Sequence, residues 1–330
     1  MPIDESLVEK LRGEVNKETD LFRMATNNVG GRDEHARICS AMDWIQMTAR
    51  GYEVALKRLK KSDLGDTVAI LAYVMISDTL VQGIDALHAA LGIKNPESKR
   101  MFFKRSPNSL NLPYEHVGGY IDSKDSKVFN EIETDKEFFS KIRACFGAHV
   151  QDIGRKGKIY FASWSGREGD PNSIGVHLYN YEKYAGIILS VPIDEINSYI
   201  EWEYNKINDI LPEISVICED HRNELRTISI PSSNDIQEEI KILNNEARKR
   251  ARGWEEYLLS ELEEAYPKIM AEGDLGKEAL LKNILKTIRD NLQNMPTSED
   301  TLLFKIDSVH DLFRVYDIIK ENSSKAPEAE

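Results

Sequence analysis

The residues whose chemistry is easiest to state lie between 141 and 149: Lys141-Ile142-Arg143-Ala144-Cys145-Phe146-Gly147-Ala148-His149. Arg143 is a permanent cation, and His149 titrates near neutrality. On an unbroken helix, six steps of about 100° leave the two about 120° apart, on different faces. Gly147 is expected to end or loosen the helix, which lets His149 fold back beside Arg143. A fixed cation next to a titrating group suits the cleavage of RNA without metal. A proton must leave the 2′-hydroxyl or reach the leaving oxygen, a role for histidine. Negative charge accumulates on a phosphorane, a role for arginine. The 2′-hydroxyl is also what separates RNA from DNA as a substrate.

Charge around this segment differs from that of the whole chain. The 330 residues carry a formal net charge of -13, so the protein has no general affinity for phosphate backbones. From Phe138 to Arg167, however, six basic residues (Lys141, Arg143, Arg155, Lys156, Lys158 and Arg167) face one acid, Asp152, giving +5 locally and leaving -18 elsewhere. Tyr160, Phe161 and Trp164 are interleaved with them. Cations and aromatics together hold a single strand by phosphate pairing and base stacking, which marks Lys141, Arg155, Lys156, Lys158, Trp164 and Arg167 as RNA-binding candidates. In the plainer alternative the hairpin aromatics are packing residues.

The elements that must position this segment are mostly helical. Apolar spacing predicts helices at about 34–61 and 64–91, the second with Leu80, Ile84, Leu87 and Leu91 on its core face, a cap from Ser62 and Asp63, and Gly92 as its stop. The short connection makes them antiparallel neighbours. Residues 93–134 hold no period and are expected to be a long ordered loop. A helix at about 135–147 carries Arg143 and faces the core through Phe138, Phe139 and Ile142. KIYFAS (158–163) and SIGVHLYN (173–180) predict a β-hairpin with a long tip, with His177 facing solvent. A helix follows at about 193–211, with Pro212 as its stop, and short strands are expected within 214–230. Three charged helices, at about 235–264, 274–293 and 307–321, precede a disordered tail. The predicted fold class is therefore mainly α, a helical bundle with a small β-hairpin insertion and a helical C-terminal region. The expected domains are 1–212 with the hairpin at 158–180, a linker or short strands at 213–234, helices across 235–322, and a tail at 323–330.

With that context the segment resembles the HEPN superfamily, whose signature is an arginine, four to six residues, then a histidine, near the start of the bundle's last conserved helix. FFSKIRACFGAH carries the likeness, which spans about residues 34–212. The resemblance implies a metal-independent endoribonuclease with Arg143 and His149 as catalytic residues. It also implies a site built across a homodimer from two copies of the motif, and a role as a toxin or defence effector. The residue after the arginine is often polar in such proteins; here it is Ala144. Inactive and regulatory members exist as well.

Other chemistry finds little support. There is no Walker A loop, no GxGxxG after a strand, no HExxH, no EF-hand loop and no GxSxG elbow. The three cysteines, Cys39, Cys145 and Cys218, are far apart and lack CxxC spacing, which argues against a disulfide framework or a zinc site. Neither a metal nor another cofactor is expected. Cys145 is taken as a small core residue. The acidic, polar start is unlike a secretory leader, and no apolar run approaches the roughly 20 residues that span a bilayer, so a cytoplasmic location with no membrane contact is expected. The run Arg248-Lys249-Arg250-Ala251-Arg252 sits among glutamates and is expected to be a solvated face. Two rivals to the ribonuclease remain: a non-catalytic module of the same bundle type that binds RNA, a nucleotide or a partner, and a helical scaffold that engages a protein through its C-terminal helices. In both, Arg143 pairs with a surface carboxylate and His149 is a satisfied helix-end residue.

Overall fold

The structure is a computed structural model that describes residues 3–27, 33–61, 66–99, 101–103, 132–146, 153–155, 158–163, 172–180, 185–271 and 275–295. In chain order the helices are α1 (Ser6–Lys17), α2 (Thr19–Thr26), α3 (Glu34–Lys61), α4 (Thr67–Leu91), α5 (Asp135–Phe146), α6 (Ile193–Asn205), α7 (Ile207–Thr227), α8 (Ile236–Lys249), α9 (Gly253–Ala271) and α10 (Leu275–Asn294). The strands are β1 (Ile153–Arg155), β2 (Lys158–Ser163), β3 (Ser173–Asn180) and β4 (Ala185–Pro192). The fold is mainly α with a small β part, as the sequence predicts. The chain divides into two compact units, Met1–Glu14 with Asn27–Pro212, and Val15–Thr26 with Glu213–Glu330.

In the first unit α4 is the hub, contacting α3, α5 and α6. It starts where Asp66 accepts the Ala69 amide at 2.9 Å and stops at Gly92, whose φ of +68° is left-handed. The cap is therefore Asp66, not Ser62 or Asp63, which lie outside the described residues. Leu80, Ile84 and Leu87 are buried as their spacing predicts. Gly83 is needed where α3 comes closest, because a Cβ there would lie 2.7 Å from Ile45 Cγ1. Tyr52 of α3 and Tyr73 of α4 each donate to Asn197 Oδ1 of α6 at 2.7 Å, which ties the three helices together at one level. One expectation about α4 needs correction. By length and composition alone it is apolar enough to cross a membrane, with a mean hydropathy of 1.6 over its best window. Only two charges, Asp78 and Asp85, interrupt it, and averaging over the helix hides the polar residues that break up any continuous run. Half of that window is buried within the fold.

The predicted hairpin is the middle of a four-stranded antiparallel sheet in the order β1-β2-β3-β4. Phe161 pairs with Tyr179 and Ser163 with His177 across β2 and β3. Ile174 of β3 opposes Val191 of β4, and both are buried. β4 runs straight into α6, and the first amide of α6, on Ile193, donates to the Asn172 carbonyl at 2.9 Å. Ile193, Ile196, Ile200 and Tyr204 form the buried face of α6.

The second unit corrects two expectations. Residues 214–230 are not strands: α7 runs from Ile207 to Thr227 with Pro212 inside it. Ile210, Ile214, Cys218 and Leu225 are buried at helical spacing, and this periodicity outweighs the β-branched run that suggested a strand. The basic run is not a solvated face throughout. Arg248 and Lys249 are exposed, but Arg250 is 1% exposed. α8 ends at Lys249 and Ala251 takes a left-handed φ of +54°, so the chain turns and the Arg250 guanidinium points inward. It pairs with Glu246 and donates to the Ile228 carbonyl at 2.9 Å. Around it α8, α9 and α10 share a core that includes Ile240, Leu243, Leu259, Leu262, Leu285 and Leu292.

Candidate functional site

α5 is short, and its placement depends on contacts at both ends. At its start Asp135 is fully buried, and its carboxylate accepts from Ser98 Oγ at 2.7 Å and from the amides of Met101, Phe102 and Phe103 at 2.8, 3.0 and 3.2 Å. A carboxylate that accepts three successive amides ties the start of the helix to the 101–103 segment. Phe138, Phe139 and Ile142 are buried, with Phe138 stacked on Phe103 at 4.8 Å and Phe139 against Tyr199 of α6 at 5.2 Å.

Along its flank α5 is held by two ion pairs to α4. Lys136 Nζ lies 2.9 Å from Asp85 Oδ1, and Arg143 Nη1 lies 3.5 Å from Asp78 Oδ1. The residues are seven apart on both helices and in opposite order, so the pairs form a ladder between antiparallel neighbours. Arg143 sits in the last turn of α5 with 39% of its side chain exposed. The resemblance places the arginine near the start of a helix; here it is the ninth residue of α5. Burial holds the Asp78 carboxyl above its usual range, although Arg143 and the Gln82 amide, 2.5 Å from it, act in the opposite direction. Asp78 is thus a partly desolvated anchor that fixes the guanidinium while leaving much of it in solvent. Cys145 is buried, and burial pushes its thiol up to about 12, so it behaves as a core residue and not a nucleophile.

Of the other sequence candidates, Lys141 is half-buried on α5. Arg155 and Lys158 are direct register partners of β1 and β2, and α5 packs against both strands. The structure therefore brings the helix bearing Lys141 and Arg143 beside the strands bearing Arg155 and Lys158. His149, Lys156, Trp164 and Arg167 lie outside the described residues. Among the described residues no group of three histidine, cysteine or acidic side chains could hold a metal ion.

Sequence reasoning missed a polar chain that continues from this ladder. Asp85 accepts from Asn95 Nδ2 at 2.6 Å, and Asn95 Oδ1 accepts from Lys206 Nζ at 2.8 Å. Lys206 in turn lies 2.7 Å from Glu203 Oε2 and 4.0 Å over the Trp202 ring. Burial lowers the Lys206 ammonium and raises the Glu203 carboxyl. His88 is 1% exposed, neither ring nitrogen has a hydrogen-bond partner among the described residues, and burial, then Lys206, lowers its pKa. Two solitary acids seven apart in a helix as apolar as α4 were the available signal. Comparison with known protein families, with curated proteins and with solved structures gives no match to this chain.

Proposed function

We propose that this protein is a HEPN-like endoribonuclease that cleaves RNA without a divalent metal, using Arg143 and His149. The observation that supports it most is the placement of Arg143. An arginine anchored by Asp78, half in solvent, sits at the end of a helix that packs against the strands bearing Arg155 and Lys158. Neutral His149 takes the proton of a 2′-hydroxyl as its oxygen attacks the adjacent phosphorus. Arg143 stabilises the phosphorane oxygens. The 5′-oxygen leaves with a proton from a second, protonated group, leaving a cyclic phosphodiester on one fragment and a hydroxyl on the other. The second titrating group is His149 of another copy of the chain. Lys141, Arg155, Lys156, Lys158, Trp164 and Arg167 hold the strand.

Arg143→Ala and His149→Ala each abolish cleavage of single-stranded RNA, with the melting temperature nearly unchanged, and excess EDTA leaves the parent rate intact. Cleavage by both variants at the parent rate removes the assignment, and a loss to EDTA restored by Mg²⁺ replaces it with metal chemistry. A second reading is favoured by the Asp78 pairing, which offsets part of the Arg143 charge, and by Ala144 beside it. In that reading the bundle binds RNA without cleaving it, and the two variants weaken binding to a protein that cuts nothing.

A further inference from the structure

The outward face of the α3–α4 hairpin carries two adjacent stripes with seven-residue spacing. On α3 it is Ser40, Trp44, Met47, Gly51 and Val54, at intervals of four, three, four and three. On α4 it is Val68, Ala72, Met75, Thr79, Gln82 and Ala86, at four, three, four, three and four. Such a repeat keeps one seam facing a neighbouring helix along its whole length. Here the seam faces outward. Trp44, Met47, Val54, Val68 and Met75 are 51%, 54%, 68%, 57% and 49% exposed. Half of the apolar window of α4 is left uncovered by the fold.

The face has a distinct shape at each end. Toward the start of α3 a groove of about 450 Å³ runs between the helices over the small residues Ser40, Ala41, Thr79, Gly83 and Ala86, with Trp44 on its wall. Toward the other end Met47, Val54, Val68 and Met75 protrude. A patch that is concave at one end and ridged at the other is complementary to itself across a two-fold axis. Charge agrees with this. No carboxylate lies in either stripe. Arg37 pairs with Glu34 at 3.3 Å at one end, beside Asp33, and Arg58 pairs with Asp66 at 3.9 Å at the other, beside Lys57, Lys60 and Lys61, so antiparallel packing sets the acid-bearing start of α3 against the basic end of its copy and no block of like charge against itself.

We propose that this face docks a second copy of the chain, α3 antiparallel to α3 and α4 antiparallel to α4, around an axis near Met47 and between Thr79 and Gln82. In that register Trp44 of one copy lies over Gly51 of the other, and Met75 enters the groove at Ala86. Val54 enters the same groove at Ala41, and Arg37 approaches the partner's Arg58–Asp66 pair. The interface does not depend on the ribonuclease reading, but it bears on it. Asp78, which anchors Arg143, borders the seam one helical step from Thr79, so both copies of Arg143 fall on the same side of the dimer near its axis.

The test uses the full chain. Sedimentation at on the order of ten micromolar gives twice the 37.7 kDa chain mass for the parent. Trp44→Glu and Met75→Glu, both at exposed positions, raise the dimer dissociation constant at least about tenfold with an unchanged melting curve. In a Cys39→Ser background, Met47→Cys cross-links on oxidation. Val54→Cys does not, because 13 helical residues put its two copies about 20 Å apart. A monomeric parent, a dimer indifferent to both glutamates, or cross-linking at 54 instead of 47 overturns the proposal. So does flotation of the parent, but not of Trp44→Glu, with vesicles of phosphatidylcholine and phosphatidylserine, which assigns the face to a membrane surface. None of these measurements reads RNA cleavage, so a failed dimer and a failed ribonuclease are told apart.

Discussion

Arg143 and Arg250 both stand at the C-terminal end of a helix, α5 and α8, where a cation is favoured by the helix dipole. Their surroundings are opposite. Among the described residues Arg143 has one long contact, 3.5 Å to Asp78, and 39% of its side chain is in solvent. Arg250 is 1% exposed, and its terminal nitrogens are directed at Glu246 and at the carbonyls of Leu225 and Ile228. The backbone makes the difference. α8 is followed by the left-handed turn at Ala251, which swings the guanidinium under the chain. Arg143 lies within its helix, where its side chain beside α4 meets the acid opposite it. A burial-fixed arginine is part of the fold; a tethered and wetted one is available to a ligand.

Removing each arginine sharpens that contrast. The largest expected effect on stability is from Arg250→Ala, which takes the buried cation from the Glu246 carboxylate, leaving it the exposed Lys249, and removes one donor from the Ile228 carbonyl. Breaking a buried pair from one side costs about 3–5 kcal/mol. Chemical unfolding of the second unit should show this loss, with RNA cleavage at temperatures below its melting unaffected. Were Arg250→Ala neutral, the guanidinium would be held no more firmly than that of Arg143, and the comparison would dissolve.

A smaller effect is expected from His88, which belongs to the polar chain that continues from the α4–α5 ladder. The groups facing it are Asp85, Lys136, Lys206 and Asp209, and burial is the largest influence on it. Its folded pKa lies below the ordinary 6.5, so the folded protein resists the proton that the unfolded chain accepts. The stabilisation is full above pH 6.5 and is lost as pH falls from there through the depressed folded value. The slope of stability against pH below 6.5 should be shallower in His88→Leu than in the parent, and equal slopes would show that His88 is protonated at no extra cost. The smallest effect is at the turn beside Arg250. Ala251→Gly relieves a left-handed residue and should stabilise by about 1 kcal/mol; a destabilisation of that size would mean the Ala251 methyl makes a contact worth more than the strain.

Much of the first unit was legible because its helices are amphipathic on a simple period. Leu80, Ile84 and Leu87, Phe138 and Ile142, and Ile196 and Ile200 are buried as spacing predicts. Three things were not. α7 was hidden by Ser215-Val216-Ile217-Cys218, a run that favours a strand locally but serves a helical face, and by Pro212, which the helix tolerates in its second turn at the loss of one hydrogen bond. β4 was hidden because AGIILSVP is a continuous apolar run, and such runs carry no period. The burial of Arg250 depends on a positive φ at an alanine, which no propensity announces. At the candidate site, residue type was legible at Arg143, but its anchor was not. Asp78 and Arg143 are 65 positions apart, and only the antiparallel course of α4 and α5 makes them neighbours.

The central claim is that Arg143 is held for chemistry and Arg250 for the fold. The most direct measurement compares Arg143→Ala with the parent in one preparation, reading RNA cleavage and thermal unfolding together. The account predicts that cleavage disappears while the unfolding midpoint stays within about a degree or two of the parent, the size of shift expected for a surface pair worth well under 1 kcal/mol. Cleavage at the parent rate, or a drop in midpoint as large as that of Arg250→Ala, would contradict it.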